Sequence, residues 1–352
     1  MDLGKFSDGT PITEASLKAW KALSMEVRAE RNLKQLDRLV VSWDTLVNLL
    51  DSEEYRINVT SNNVPSIGGD RSIVLFLHIP KVGGSTLAYV LNKNHESHHS
   101  IHANAPELEH KPYLLFKRDM LCDLVMGHHR INSILYQLLN RPVIHMTMLR
   151  DPVSRVVSYY DYLYTSKVHP LRHKAKQMTL QEFIESKEIV ELENAQSRRL
   201  VGSLYRAPFR KKAGQSVTSP WDDTDQLLKD AKETLTSRFS LFGLTNDYTR
   251  FLLMAKKLLF WRDIYYVRKN VSKQKTVVAD VEPRVIDLIR QRNQADIALF
   301  DYAKQLFDER CDQLDITQEK VDHYEALNTT YQDLLCSSQQ LFSSTLPVSA
   351  DL

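Results

Sequence analysis

Three short stretches combine residue types that can grip an anion with one that can move a proton. Lys81-Val82-Gly83-Gly84-Ser85-Thr86 brings together an ammonium, two glycines and two hydroxyls. Gly127 is followed by His128 and His129, and Arg150-Asp151-Pro152 is followed by Ser158, eight residues after the arginine. An ammonium, a guanidinium fork and hydroxyl donors match the oxygens of phosphate or sulfate esters. An imidazole, which ordinarily titrates near 6.5, matches the task of taking a proton from a weakly acidic hydroxyl.

Each stretch hangs on the end of an apolar run. Ile73–Leu77 is continuously hydrophobic and rich in branched and aromatic residues, as expected of a strand buried on both faces of a parallel sheet. After Pro80 the chain passes the two glycines and resumes with Leu87, Val90 and Leu91 at helical spacing. Such a strand–loop–helix turn aims unpaired backbone N–H groups and the positive end of a helix dipole at an anion. Residues 121–126 and Val143–Leu149 are two more strand-like runs, and Asp151 with Pro152 predicts a capped helix start, with Val153, Val156, Val157 and Tyr160 on its buried stripe. Three strand ends that converge at one edge of an open α/β sheet make a ligand crevice.

The first loop is not a Walker A motif, which needs Gly-Lys-Ser/Thr at the helix start; here the lysine precedes both glycines. HIPKVGGSTL closely resembles the 5′-phosphosulfate loop of the carbohydrate O-sulfotransferases that use 3′-phosphoadenylyl sulfate (PAPS), with Val82 where the family often has threonine. LRDPVSRVVSYYDYL resembles their 3′-phosphate motif, with Arg150 and Ser158 at its spacing. Residues 179–184, 193–202, 239–248 and 293–310 are similar to further family segments, the second being the asparagine-containing helix near the nucleotide. The likeness is to the heparan/uronyl-type members, residues 293–310 being particularly close to the heparan sulfate 6-O-sulfotransferases and the Tyr159-Tyr160 pair resembling the heparan and uronyl 2-O enzymes, and it covers roughly residues 71–310.

The resemblance implies a P-loop-like three-layer α/β fold, with a central parallel sheet and flanking helices, spanning residues 71–315. An N-terminal helical extension and linker (1–70) precede it, and a C-terminal helix and tail (316–352) follow. It implies transfer of a sulfuryl group to a carbohydrate hydroxyl, with an acidic glycan of glycosaminoglycan type as acceptor. Lys81, Val82, Gly83, Gly84, Ser85 and Thr86 would hold the 5′-phosphosulfate, with Lys81 also neutralising the leaving oxygen; Arg150 and Ser158 would hold the 3′-phosphate. His128 would be the base, with His129 as its rival, and Arg172, His173 and Lys174 would bind the acceptor. Arg268, Lys269, Asn270 and Lys273 lie where the family places a basic loop over the nucleotide. The other readings are a P-loop kinase or NTPase, which would need an acidic magnesium ligand, and a non-catalytic module that binds nucleotide or glycan.

Composition bounds these readings. The 352 residues are 43% hydrophobic and 26% charged with a formal net charge of +2, which suits a large α/β domain with extensions and does not announce a nucleic-acid partner. Basic character is local, at residues 167–176 and 205–212. Cys122, Cys311 and Cys336 lack metal-ligand spacing, and His95, His98, His99 and His102 lack acidic or cysteine partners, so these histidines read as solvated and no metal is demanded. Family members reside mostly in the Golgi behind a membrane anchor; the sequence contains neither anchor nor signal peptide, which leaves a truncated chain, an incomplete gene model or a soluble, cytoplasmic member. Sequons at Asn58, Asn270 and Asn328 fit a lumenal protein. Amphipathic periodicity across residues 13–50 predicts one or two helices, serving homo-oligomerisation or packing on the chain's own domain.

Overall fold

The computed structural model describes residues 5–6, 8–52, 65–67, 70–95, 100–102, 123–186, 189–203, 222–267 and 276–345. Helices α1 (Glu14–Ala22), α2 (Met25–Leu39) and α3 (Trp43–Leu49) open the chain. A two-stranded hairpin, β1 (Ser66–Ile67) and β2 (Asp70–Arg71), leads into β3 (Ile73–Leu77) and then α4 (Gly84–Asn94). Next come β4 (Ser100–His102), β5 (Leu124–Gly127), β6 (Val143–Leu149), α5 (Pro152–Thr165), α6 (Arg172–Gln177), α7 (Leu180–Glu185), α8 (Ala195–Val201), α9 (Thr224–Ser237) and β7 (Leu241–Leu244). Four helices close the chain: α10 (Tyr248–Leu259), α11 (Pro283–Arg292), α12 (Gln294–Gln313) and α13 (Gln318–Thr345).

The expected fold is present. Five strands form one sheet in the order β4-β5-β3-β6-β7, every neighbouring pair parallel, with helices flanking it. β3 is central because all five of its side chains are buried, and β6 and β7 are buried along their whole lengths as well. A parallel sheet needs both faces covered, and these uninterrupted apolar strands supply that demand in sequence. Because the strands run the same way, His78, His128, Arg150 and Thr245, each the residue after a strand, emerge at one edge. The register fixes their level: Leu77 pairs with both Gly127 and Thr147, and Leu149 pairs with Leu244.

The N-terminal segment comprises three helices rather than one or two, and it packs on its own domain. Ala29, Leu36, Trp43 and Leu46 belong to the same buried cluster as the sheet. Asn32 and Gln35 of α2 donate to the carbonyls of Ser133 (2.8 Å) and Leu139 (2.9 Å), and Val41 N–H bonds the Val143 carbonyl at 2.9 Å, placing this segment beside the start of β6. A second cluster lies under α5, where Val153, Val156, Val157, Tyr159 and Leu163 meet Phe183, Ile184 and Ile289. Tyr159, not Tyr160, is the fully buried tyrosine; half-buried Tyr160 donates its hydroxyl to the Met178 carbonyl at 2.9 Å.

Several sequence expectations change at this level. His95 is not solvated: it is 3% exposed, sits edge-on to Trp261, and is kept neutral by burial, which lowers its pKa to about 4. Asn328 is buried and accepts Tyr266 N–H at 2.8 Å, so in the folded chain this sequon asparagine is a structural acceptor. The last helix continues through the serine-rich stretch as far as Thr345. Asn58, His98, His99, Cys122, the basic run at 205–212, Arg268, Lys269, Asn270 and Lys273 lie outside the described residues. Among the described residues no helix is long and apolar enough to cross a membrane.

Candidate functional site

The glycine-rich turn begins with backbone strain. Lys81 has φ 69°, a left-handed conformation that costs a side-chain-bearing residue about 1–2 kcal/mol and persists only where its surroundings enforce it. Gly83, at φ 86°, adopts the same region without penalty and forms the N-cap of α4 without a side-chain bond to the helix. Gly84 is needed for a different reason than ligand approach alone. A Cβ there would lie 2.0 Å from His78 Nε2, so the imidazole of His78 occupies the space that any other residue would fill. Ser85 is exposed and Thr86 half-buried in the first turn of α4, beside that helix's unpaired N–H groups.

Arg150 is brought directly onto this turn. Its Nη1 donates to the Lys81 carbonyl at 3.0 Å, while its own peptide is gripped at both ends by Gln196, which accepts from Arg150 N–H and donates to Arg150 C=O, each at 2.9 Å. Gln196 is itself placed by Asp296, whose carboxylate accepts from the N–H groups of Gln196 (3.0 Å) and Ser197 (2.7 Å) at the start of α8. Thr245, after β7, ties the glycine-rich turn to the end of β6 by reaching the Val82 carbonyl at 2.8 Å and the Leu149 carbonyl at 3.1 Å. Asp151 caps α5 through Ser154 N–H at 2.7 Å, with Pro152 at the first helical position.

The electrostatics favour an anion. Burial lowers the pKa of Lys81 from its usual value, and the neighbouring Arg150 charge lowers it further against an opposing pull from Asp161. Arg150 is likewise lowered by burial, with Asp151 opposing. Among the described residues neither cation forms an ion pair with a carboxylate, and two half-buried like charges held this close are stabilised by an anion that touches both. The Lys81 ammonium rests 4.7 Å from the ring centre of Tyr162. Tyr162 is one helical turn beyond Ser158 on α5, which puts half-buried Ser158 on the same face, towards the same crevice. Lys81, Arg150 and the hydroxyls of Ser85, Thr86 and Ser158 are donors of the kind that can hold phosphate or sulfate oxygens.

On the other side of β3, His128 is exposed and His129 is fully buried. Burial, reinforced by the nearby histidines and Arg199, holds His129 neutral well below its usual pKa. Of the two, His128 presents its ring to solvent and His129 does not. His128 Nδ1 lies 2.7 Å from the His78 carbonyl, which can only accept, so the nitrogen donates and Nε2 carries the lone pair in the neutral ring. Beneath this side lies a buried cluster in which Glu191 pairs with Arg155 and Arg199. Burial pushes Glu191 up, and the two arginines more than offset it, leaving its carboxyl below the ordinary range.

Arg172, His173 and Lys174 form the first turn of α6, packed against α5; Arg172 donates to the Lys167 carbonyl and its Nε lies 3.4 Å from His173 Nε2. Asn194, in the helix expected near a nucleotide, is a structural residue at φ 45° whose side chain accepts from Asp296 N–H at 3.2 Å. Sequence reasoning passed over Gln196, Thr245, Tyr162 and His78. Thr245 carried a usable signal as the first polar residue after a buried strand, and Tyr162 stands four residues from Ser158. Gln196 and His78 act through contacts that no local pattern announces.

A family model described as the sulfotransferase family matches residues 68–303. No curated protein matched the chain.

Proposed function

The chain belongs to the sulfotransferase family, and from that premise we propose that it transfers the sulfuryl group of PAPS to a hydroxyl of an acidic glycan of glycosaminoglycan type, with His128 as general base. The observation that carries this reading is the meeting of Lys81 and Arg150 at one sheet edge, two half-buried cations without a carboxylate partner among the described residues, beside an exposed histidine whose tautomer leaves Nε2 as acceptor.

The donor supplies an activated sulfuryl group; the chain's residues do the rest. The N–H groups at the start of α4, with Ser85 and Thr86, hold the 5′ anion, and Arg150 with Ser158 holds the 3′-phosphate. The acceptor oxygen bonds to sulfur as the bond from sulfur to the phosphate oxygen breaks. That bond's electron pair stays on the phosphate oxygen, where the Lys81 ammonium neutralises the growing charge. The hydroxyl proton passes to His128 Nε2. Arg172, His173 and Lys174 supply positive charge for an acidic chain beyond α5.

Incubation with sulfur-labelled PAPS and a panel of sulfated, carboxylated and neutral oligosaccharides tests the reading. Label should appear on an acidic glycan, and His128→Ala should lower kcat by about 10²–10⁴-fold with nucleotide affinity nearly unchanged. Transfer of phosphorus label from γ-labelled ATP in a parallel incubation, with none of the sulfur label from PAPS, would refute it, as would full turnover in His128→Ala.

A further inference from the structure

His128 does not stand alone at the crevice. Its ring stacks on that of His78, with centroids 4.3 Å apart and planes inclined by 25°. His78 in turn lies near-parallel to Phe76 at 5.5 Å, and Phe76 is fully buried in β3. Gly84, the first residue of α4, leaves the opening into which His78 Nε2 projects. His78 therefore touches the head of the anion-binding helix and the face of His128 at once, while its backbone carbonyl holds His128 Nδ1.

We propose that His78 is a positioning residue for the transfer reaction: its imidazole, seated on Gly84, is the platform that keeps the His128 ring in the one rotation where Nδ1 meets the His78 carbonyl and Nε2 faces the acceptor. The proposal rests on the reading of His128 as base. An exposed imidazole on a strand-end turn can otherwise rotate about χ2, and a ring turned over would present a carbon and the wrong nitrogen to the hydroxyl. The carbonyl alone sets a distance; the stacked face sets the plane. Because the same ring rests on the residue that heads α4, the base is referenced to the loop that holds the donor, which is how the attacking and leaving sides of an in-line transfer stay aligned.

The test uses the full chain with ¹⁵N-labelled histidine. In the wild type, ring-nitrogen shifts, assigned by difference from His128→Ala, should show His128 protonated at Nδ1 and unprotonated at Nε2 at pH above its titration. His78→Ala should mix the two tautomers and lower kcat on the order of 10–100-fold, with nucleotide affinity by calorimetry unchanged. His78→Phe, which keeps a flat face, should restore the single tautomer and most of kcat. An unchanged His128 tautomer in His78→Ala overturns the proposal, whether or not turnover falls, since a fall would then mark His78 as a direct contact. Equal losses in His78→Ala and His78→Phe overturn it as well. If the wild type transfers no sulfuryl group, the functional reading fails, and the tautomer spectra of the two variants still decide whether His78 orients His128.

Discussion

Replacing Gly84 by alanine should move stability in the direction opposite to helix propensity. Gly84 heads α4, and alanine in place of glycine in a helix normally gains up to about 1 kcal/mol. Here the new methyl would stand 2.0 Å from His78 Nε2 and 2.1 Å from Cδ2, whereas ordinary contact begins at 3.4 Å. The imidazole must retreat by more than an ångström, yet the His128 ring at 4.3 Å and the Phe76 ring at 5.5 Å are among the neighbours that confine it. Overpacking of this kind costs about 1–3 kcal/mol, enough to cancel the propensity gain and leave the variant less stable. Urea denaturation followed by circular dichroism should show a lower midpoint with an unchanged slope. Turnover should fall on the order of 10–100-fold, because displacing His78 displaces His128. A midpoint at or above wild type with full turnover would show that the His78 ring moves aside freely and refute the reasoning.

Lys81→Ala and Arg150→Ala should each weaken 3′-phosphoadenosine 5′-phosphate binding by about 1.5–3 kcal/mol, measured by calorimetry, and ATP, lacking the 3′-phosphate, should compete poorly; equal affinity for ATP would sink the donor assignment. Replacing Arg172 and Lys174 together by alanine should raise the acceptor KM and leave donor affinity alone, whereas preference for a neutral oligosaccharide, indifferent to these changes, would remove the acidic-glycan reading. His95 and His145 are buried, with pKa values lowered from the usual 6.5 to about 4 and about 3. Their folded forms stay neutral while the unfolded chain takes up protons, so each leaves stability intact above pH 6.5 and removes about 1.4 kcal/mol per pH unit below it, until its folded pKa is reached. Urea midpoints for wild type and His95→Phe at pH 7 and pH 5 should show a smaller acid loss in the variant; identical losses would mean that His95 is protonated in the fold.

The sheet was legible because parallel strands must be apolar throughout, and Ile73–Leu77 and Val143–Leu149 have the boundaries their hydrophobic runs suggest. Lys81, Arg150 and His128 were legible for a related reason: each follows such a run closely, and polar residues at the ends of parallel strands share an edge. Residues 121–126 placed a strand slightly early, since β5 begins only at Leu124. Contacts between distant segments left no local trace. The amide of Gln196 reads as an ordinary helix residue until Arg150 is placed beside it, and the histidine-rich stretch gives no sign that His95 turns inward against Trp261. Gly84 shows the limit from the other side: sequence explains this glycine by close approach of a ligand, and it gives no sign that the His78 ring also occupies the space a side chain would take.

The chain of bonds from Asp296 through Gln196 to Arg150 bears on how the molecule is made. Gln196 and Asp296 are 100 residues apart, and Thr245 meets Val82 across 163. Neither contact can form before its later partner has been synthesised, and topologies dominated by such remote pairings fold slowly. Arg150 would leave the ribosome long before the residue that fixes its supporting amide. A nascent chain ending before Asp296 would thus hold Lys81 and Arg150 without the carboxylate that places Gln196 against Arg150. An anion that binds the completed crevice would then stabilise the whole domain by mass action, in proportion to the logarithm of its concentration over its dissociation constant.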